Sequence, residues 1–269
     1  MRKFRFIVAG LILSLAVGVA GAWATGTDTN GTVNQSITLK VKKTTLPNKG
    51  KGKGILLGTK VVAENANEPG NVPDPAERVV LNYDDGFSIN GKKFPKCKKD
   101  LEGTTDQQAQ RNKVCGKAQV GEGSATVLLP NASGGATQVA AVVTAFNGPK
   151  SQASNGAKGQ GFILHTYLPD FGLTTILPGV ISGSKLGGGD FGQALNVDVP
   201  PLAGGAGGIE TFQANIKARI FKRIKGKRKR FDYVTGKCNE KTLDVSGKFE
   251  YQNSPNIIVA DSVVCTRKK

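Results

Sequence analysis

The sequence predicts an all-β fold, an antiparallel β-sandwich with a barrel-like alternative and at most one short helix. Three observations carry that expectation. Short runs rich in β-branched and aromatic residues follow one another along most of the chain. Glycine, proline and asparagine separate them, with 36 Gly and 12 Pro in 269 residues. No stretch repeats apolar residues at helical spacing over several turns. The hydrophobic share of 38% is below the globular norm, yet Gly and Pro together fall short of a low-complexity composition, so the chain should fold.

The N-terminus reads as an export signal spanning residues 1–24. Arg2, Lys3 and Arg5 precede an apolar run, and Ala22-Trp23-Ala24 supplies the small-x-small pattern that signal peptidase accepts. The run is near the lower limit for crossing a bilayer, so cleavage after Ala24 is expected over anchoring. Residues 25–35, nearly all Thr, Gly, Asn and Asp, read as a flexible polar leader, and residues 36–269 as a single β-rich domain. Export leads to a secreted or cell-envelope location.

The first β run, residues 36–43, places Ile37, Leu39 and Val41 at every second position, which dries one face and wets the other. Further runs cover residues 55–63, 78–83, 119–129, 137–146, 161–168 and 173–181. The pattern continues over 191–199, 211–224, 230–235, 248–251 and 257–264. Asp85-Gly86 reads as a hairpin turn. Residues 104–113 read as a short surface helix. The glycine-rich stretches 183–189 and 204–208 read as loops, either of which could bound a flexible segment. Asparagine triplets at Asn30, Asn34 and Asn131 match the glycosylation pattern, which is common by chance.

Four cysteines, Cys97, Cys115, Cys238 and Cys265, are an even count in an exported chain and read as disulfides. Three pairings are possible; joining the nearer partners gives Cys97–Cys115 and Cys238–Cys265. Neither spacing resembles the close pairs of a zinc site, and one histidine cannot build a multi-histidine centre. No metal or other cofactor is expected.

Phe94-Pro95-Lys96-Cys97, the segment from Cys115 through Gly123, Phe146-Asn147-Gly148 and Gly247-Lys248-Phe249-Glu250-Tyr251 followed by Cys265 form a pattern. In it the chain resembles a family of exported β-rich bacterial proteins with paired cysteines and no established activity. The resemblance spans most of the residues after the signal. It implies an envelope or extracellular location and supplies no catalytic site.

No catalytic constellation emerges from the residues. His165 is the sole imidazole; strand alternation sets it opposite Leu164 and Thr166, flanked by Phe162 and Leu168, a setting that suits a packed residue better than a base. No Gly-x-Ser-x-Gly elbow or phosphate-cradling glycine loop occurs, and Asp190-Phe191-Gly192 lacks every other kinase element. A glycosidase needs two facing acids. Asp84 and Asp85 are adjacent and so point to opposite faces, while Glu210, Asp232, Glu240, Asp244 and Glu250 are scattered.

The sharpest feature is basic. Lysine and arginine number 37 against 20 acids, a net charge of +17; without the three cations of the signal, 34 against 20 still leaves +14. Lys217, Arg219, Lys222, Arg223, Lys225, Lys227, Arg228, Lys229 and Arg230 crowd into fourteen positions. Alternation puts Lys217, Arg219, Arg223 and Lys225 on one strand face with Phe221, and leaves Lys222 on the apolar side. Residues 226–229 read as the turn and 230–235 as the return strand. The expected partners are an anionic cell-wall polymer or an anionic lipid surface. Nucleic acid is disfavoured because few aromatic residues interleave the charges. Lys40, Lys42, Lys43, Lys49, Lys51 and Lys53 form a second cluster, and Lys92, Lys93, Lys96, Lys98 and Lys99 a third. The function expected is therefore non-catalytic binding or a structural role in the envelope. A carbohydrate-active enzyme with paired carboxylates and a barrel carrying an apolar ligand are the alternatives.

Overall fold

A computed structural model describes residues 23–111, 115–185 and 190–268. Its strands are β1 (Trp23–Thr29), β2 (Val33–Lys42), β3 (Thr45–Leu46), β4 (Lys53–Gly54), β5 (Leu56–Asn65), β6 (Ala76–Asp84) and β7 (Phe87–Ile89). The helix α1 (Asp106–Arg111) precedes β8 (Gln119–Pro130), β9 (Ala136–Gln152), β10 (Lys158–Leu168), β11 (Leu173–Gly183) and β12 (Phe191–Asp198). The chain ends with β13 (Gly208–Ile216), β14 (Arg219–Ile224), β15 (Lys227–Asp232), β16 (Val234–Gly236), β17 (Thr242–Tyr251), β18 (Ile257–Val264) and β19 (Thr266–Arg267). The all-β expectation holds, with 62% of the structure in strand.

Twelve strands form one sheet in the order β1-β2-β5-β13-β8-β9-β10-β11-β12-β6-β17-β18. Every pairing in it is antiparallel. Strands β8 to β12 are a simple meander, each paired with the next along the chain. Strand β13 then crosses over to fill the gap between β8 and β5, and β6 does the same between β12 and β17. A sheet of this width coils under its own twist. Its two ends meet, which makes the barrel-like alternative the better description. At that seam a Cβ on Gly26 would lie 1.7 Å from the carbonyl oxygen of Ala260, so only glycine lets β1 and β18 touch. The Leu39 N–H donates to the buried Asp261 carboxylate at 2.6 Å across the same seam.

Alternating residues of β2, Val33, Ile37, Leu39 and Val41, point inward and are fully buried. A second, smaller core lies outside the wall. There the segment closed by Cys97–Cys115 lays Leu101 and Ala109, with Ala118 just beyond it, over Phe146, Ile163 and Ile176 of β9, β10 and β11. Both expected disulfides are formed, with Cα separations of 4.3 Å for Cys97–Cys115 and 5.9 Å for Cys238–Cys265.

Several expectations need correcting. The sequence signal, residues 1–24, lies outside the described residues as far as position 22, and its last two residues sit in β1. The polar segment 25–35 is part of the β1–β2 hairpin. Its polar groups find partners far along the chain: the Tyr251 hydroxyl donates to Gln35 Oε1 at 2.8 Å, and Asn30 Nδ2 donates to the Pro255 carbonyl at 2.7 Å. The run 211–224 is two strands, because Lys217 and Ala218 turn the chain out of the wall. Asp85-Gly86 is a turn but not a hairpin: β6 stays in the barrel, while β7 pairs with β16 in a separate sheet. The glycine-rich loop after β12 does not bound a domain; it roofs one barrel mouth. Part of the other glycine-rich stretch, residues 186–189, lies outside the described residues.

Candidate functional site

Strands β14 and β15 form a two-stranded ribbon of their own, outside the barrel sheet. Lys225 and Gly226 have φ of 49° and 75°, the paired left-handed conformation of a two-residue type I′ turn. The turn is therefore Lys225-Gly226, and not residues 226–229. Moving it back by two residues puts Lys227, Arg228 and Lys229 into strand β15.

This register sorts the cations by type. Arg223 pairs with Arg228 and Lys222 with Lys229, while Arg219 faces Asp232, Phe221 faces Arg230 and Ile224 faces Lys227. One face thus presents Arg219, Arg223, Arg228 and Arg230 around Phe221, and the other presents Lys222, Lys227 and Lys229. The Arg228 guanidinium lies over the Phe221 ring, 4.2 Å from its centroid. Lys217 is exposed where the chain leaves the wall, and Lys225 sits at the tip.

At the base, Asp232 accepts from Arg219 Nε at 2.9 Å and from Arg230 Nε at 2.9 Å. Burial works to raise the Asp232 pKa, but the hydrogen bonds and charges of Arg230 and Arg219 outweigh it and hold the carboxyl below its ordinary value. Among the described residues no carboxylate lies within ion-pair distance of Lys222, Arg223, Lys227, Arg228 or Lys229. Like charges placed directly opposite each other destabilise a strand pair, so the ribbon carries repulsion that a bound anion would relieve. Ile220 and Phe231 anchor its base against the main core. Two other basic clusters each send one member there: Lys51 Nζ and Lys93 Nζ lie 5.9 Å and 4.5 Å from the Phe231 ring centroid.

The other candidate is the barrel interior, which sequence reading did not locate. Alternate residues of β5, β6, β12, β13 and β17 line an apolar cavity of about 220 Å³. A bulge between Ile209 and Thr211 turns both Ile209 and Phe212 toward it. Tyr83 also lines it, and burial pushes its hydroxyl up to about 12.

His165 is fully buried on the outer face of β10, where Nε2 meets the Thr104 carbonyl at 3.0 Å. Burial lowers its pKa, which favours the neutral ring. Phe162 does not flank it; that ring lines the cavity with Leu164. Several of the acids weighed for a glycosidase are committed to other partners. Glu250 is held by Lys248 and Arg78, Glu210 accepts from Gln138, and Asp85 accepts from Asn239.

Asp84 is only 7% exposed and its pKa is raised to about 6, chiefly by burial, against a backbone hydrogen bond from Gly86 that lowers it. An unfolded aspartate ionises near 3.8. The protonated group therefore contributes stability that is complete below about pH 4 and lost as pH rises through 6. Relative to Asp84→Asn, the wild type should lose about 2–3 kcal/mol between pH 4 and pH 7. Urea melts of both proteins across that range check this; parallel curves would contradict it. His165, whose proton uptake on unfolding works the opposite way below about pH 6.5, is common to both proteins and drops out of the comparison.

Compared with known proteins, the chain matches no family model, no curated protein and no solved structure.

Proposed function

We propose that this is a non-catalytic extracytoplasmic protein, exported by cleavage after Ala24, that docks on anionic lipid bilayers through the β14–β15 ribbon. The observation that carries this reading is the pairing of Arg223 with Arg228 and Lys222 with Lys229 on an exposed ribbon. A ribbon serving only to keep a sheet edge soluble gains nothing from stacking like charges. A bilayer is favoured over a wall polymer because apolar side chains accompany the cations, with Phe221 50% and Ile224 38% exposed. Such side chains enter the headgroup boundary while the cations engage phosphates. The two disulfides are consistent with an oxidising, extracytoplasmic compartment.

Each engaged Lys or Arg contributes on the order of 1 kcal/mol at an anionic surface. Replacing Lys222, Arg223, Arg228 and Lys229 together with Gln should weaken sedimentation with phosphatidylglycerol-containing vesicles at least tenfold. The remaining binding should depend less on salt. The melting temperature should hold or rise, since the replaced groups are solvated and mutually repulsive. Phosphatidylcholine vesicles should bind neither protein. Undiminished binding by the quadruple variant would end the ribbon reading. Loss of vesicle binding in Phe221→Ser, with anionic wall polymer bound as before, would separate the bilayer from its polymer rival; no loss in Phe221→Ser would favour the polymer.

A further inference from the structure

We infer that the barrel lumen is a binding site for an uncharged, elongated apolar molecule, and that it discriminates against the corresponding carboxylates. The site is separate from the ribbon and stands or falls independently of it. Leu57, Val61, Leu81, Leu195, Phe212 and Phe249 give the lumen hydrocarbon walls on several sides. Val61 and Phe212 are only partly buried although they point inward, so part of their surface faces the cavity. A void bounded by such groups forfeits dispersion contacts and does not hold water well, which favours an apolar occupant.

Two polar groups of the wall, Gln35 and Tyr251, are already engaged. Tyr251 donates to Gln35 at 2.8 Å, and Gln35 Nε2 donates to the Val62 carbonyl at 2.8 Å. Neither is left to orient a strongly polar head inside the barrel.

Charge at the mouth completes the argument. Among the described residues neither lysine, arginine nor histidine lines the cavity, despite a chain of net charge +17. Asp74 and Glu77 stand there instead, beside the roof formed by Pro200, Pro201 and the following glycines. A fatty carboxylate entering this mouth would meet acids and find no cation, so it would be desolvated without compensation. A neutral chain of the same length meets no such penalty.

The test is displacement of the neutral fluorophore N-phenyl-1-naphthylamine from the purified chain at pH 8 by dodecan-1-ol and by dodecanoate. The alcohol should compete at concentrations at least tenfold below the carboxylate. Ala63→Phe and Ala214→Phe, two independent ways to fill the lumen, should each abolish fluorophore binding while keeping the parent's circular dichroism spectrum. Asp74→Asn with Glu77→Gln should narrow the preference at least threefold. The inference is overturned if dodecanoate competes as well as dodecanol, if both filled variants fold and still bind the fluorophore, or if the parent does not bind it. Mass spectrometry of a solvent extract covers a site occupied on purification: an uncharged species supports the inference, and an ionised acid overturns it.

Discussion

Asn147→Ala should lower stability by about 4 kcal/mol, the largest loss expected from a single side chain in this fold. Asn147 is completely buried in β9 and acts as a junction between elements distant in sequence. Its Nδ2 donates to the carbonyls of Gly91 at 3.0 Å, Phe94 at 3.3 Å and Pro95 at 2.7 Å. Its Oδ1 accepts from the Tyr233 hydroxyl at 3.2 Å, and Tyr233 is itself fully buried with its ring edge-on to Phe94. Alanine would strand the Tyr233 hydroxyl and the Phe94 and Pro95 carbonyls, while the Gly91 carbonyl keeps the Phe94 N–H at 3.1 Å, and each stranded group costs about 1–3 kcal/mol. For a chain of this size the melting temperature should fall by roughly 10 °C. Asn147→Asp should be no better, because a carboxylate has no N–H to offer the three carbonyls. A melting temperature within 2 °C of the parent for the alanine variant would show that the junction is redundant.

Opening both disulfides should destabilise the fold by about 6 kcal/mol, roughly 3 kcal/mol for each closed loop on the chain-entropy estimate. The separations are 18 residues for Cys97–Cys115 and 27 for Cys238–Cys265. The first bridge holds the outer segment and α1 over β9–β11. The second ties the chain entering β17 to the one leaving β18, next to the barrel seam. The melting temperature should drop on the order of 10–20 °C when all four cysteines are replaced by serine. Pairwise replacement should divide the loss, and the Cys238/Cys265 pair should also loosen β18, read as faster amide exchange at Leu39 and Asp261. In the native protein, alkylation without reductant should add no mass; four modified thiols in folded material would contradict the oxidised state.

The strands were legible because their signal is local. In β2 the alternation of Ile37, Leu39 and Val41 with polar neighbours fixes the buried face whatever the strand pairs with. The run 257–264 coincides with β18 for the same reason. The even cysteine count predicts two disulfides, and among the three possible pairings the structure forms the nearest-partner one. The cationic character of the ribbon was equally plain, as it needs only a count of side chains.

What depends on distant partners was not legible. The hairpin 25–35 looked too polar to order, because the groups that satisfy Gln35 and Asn30 lie in residues 251 and 255. The ribbon's turn lies two residues earlier than the charge pattern suggests; the left-handed pair Lys225-Gly226 is a backbone choice that a lysine does not announce. That shift alone separates arginines from lysines and sets like charges face to face. Closure of the sheet is decided only when β1 reaches β18, and a lumen exists only once it closes. The sequence by itself determined which residues alternate, that the four cysteines pair and where the charge lies, because each of these follows from composition and spacing along the chain. Only the tertiary structure decided the seam, the cavity with its acidic mouth and the facing of the cations, because strand order and register arise from contacts between segments as far as 222 residues apart.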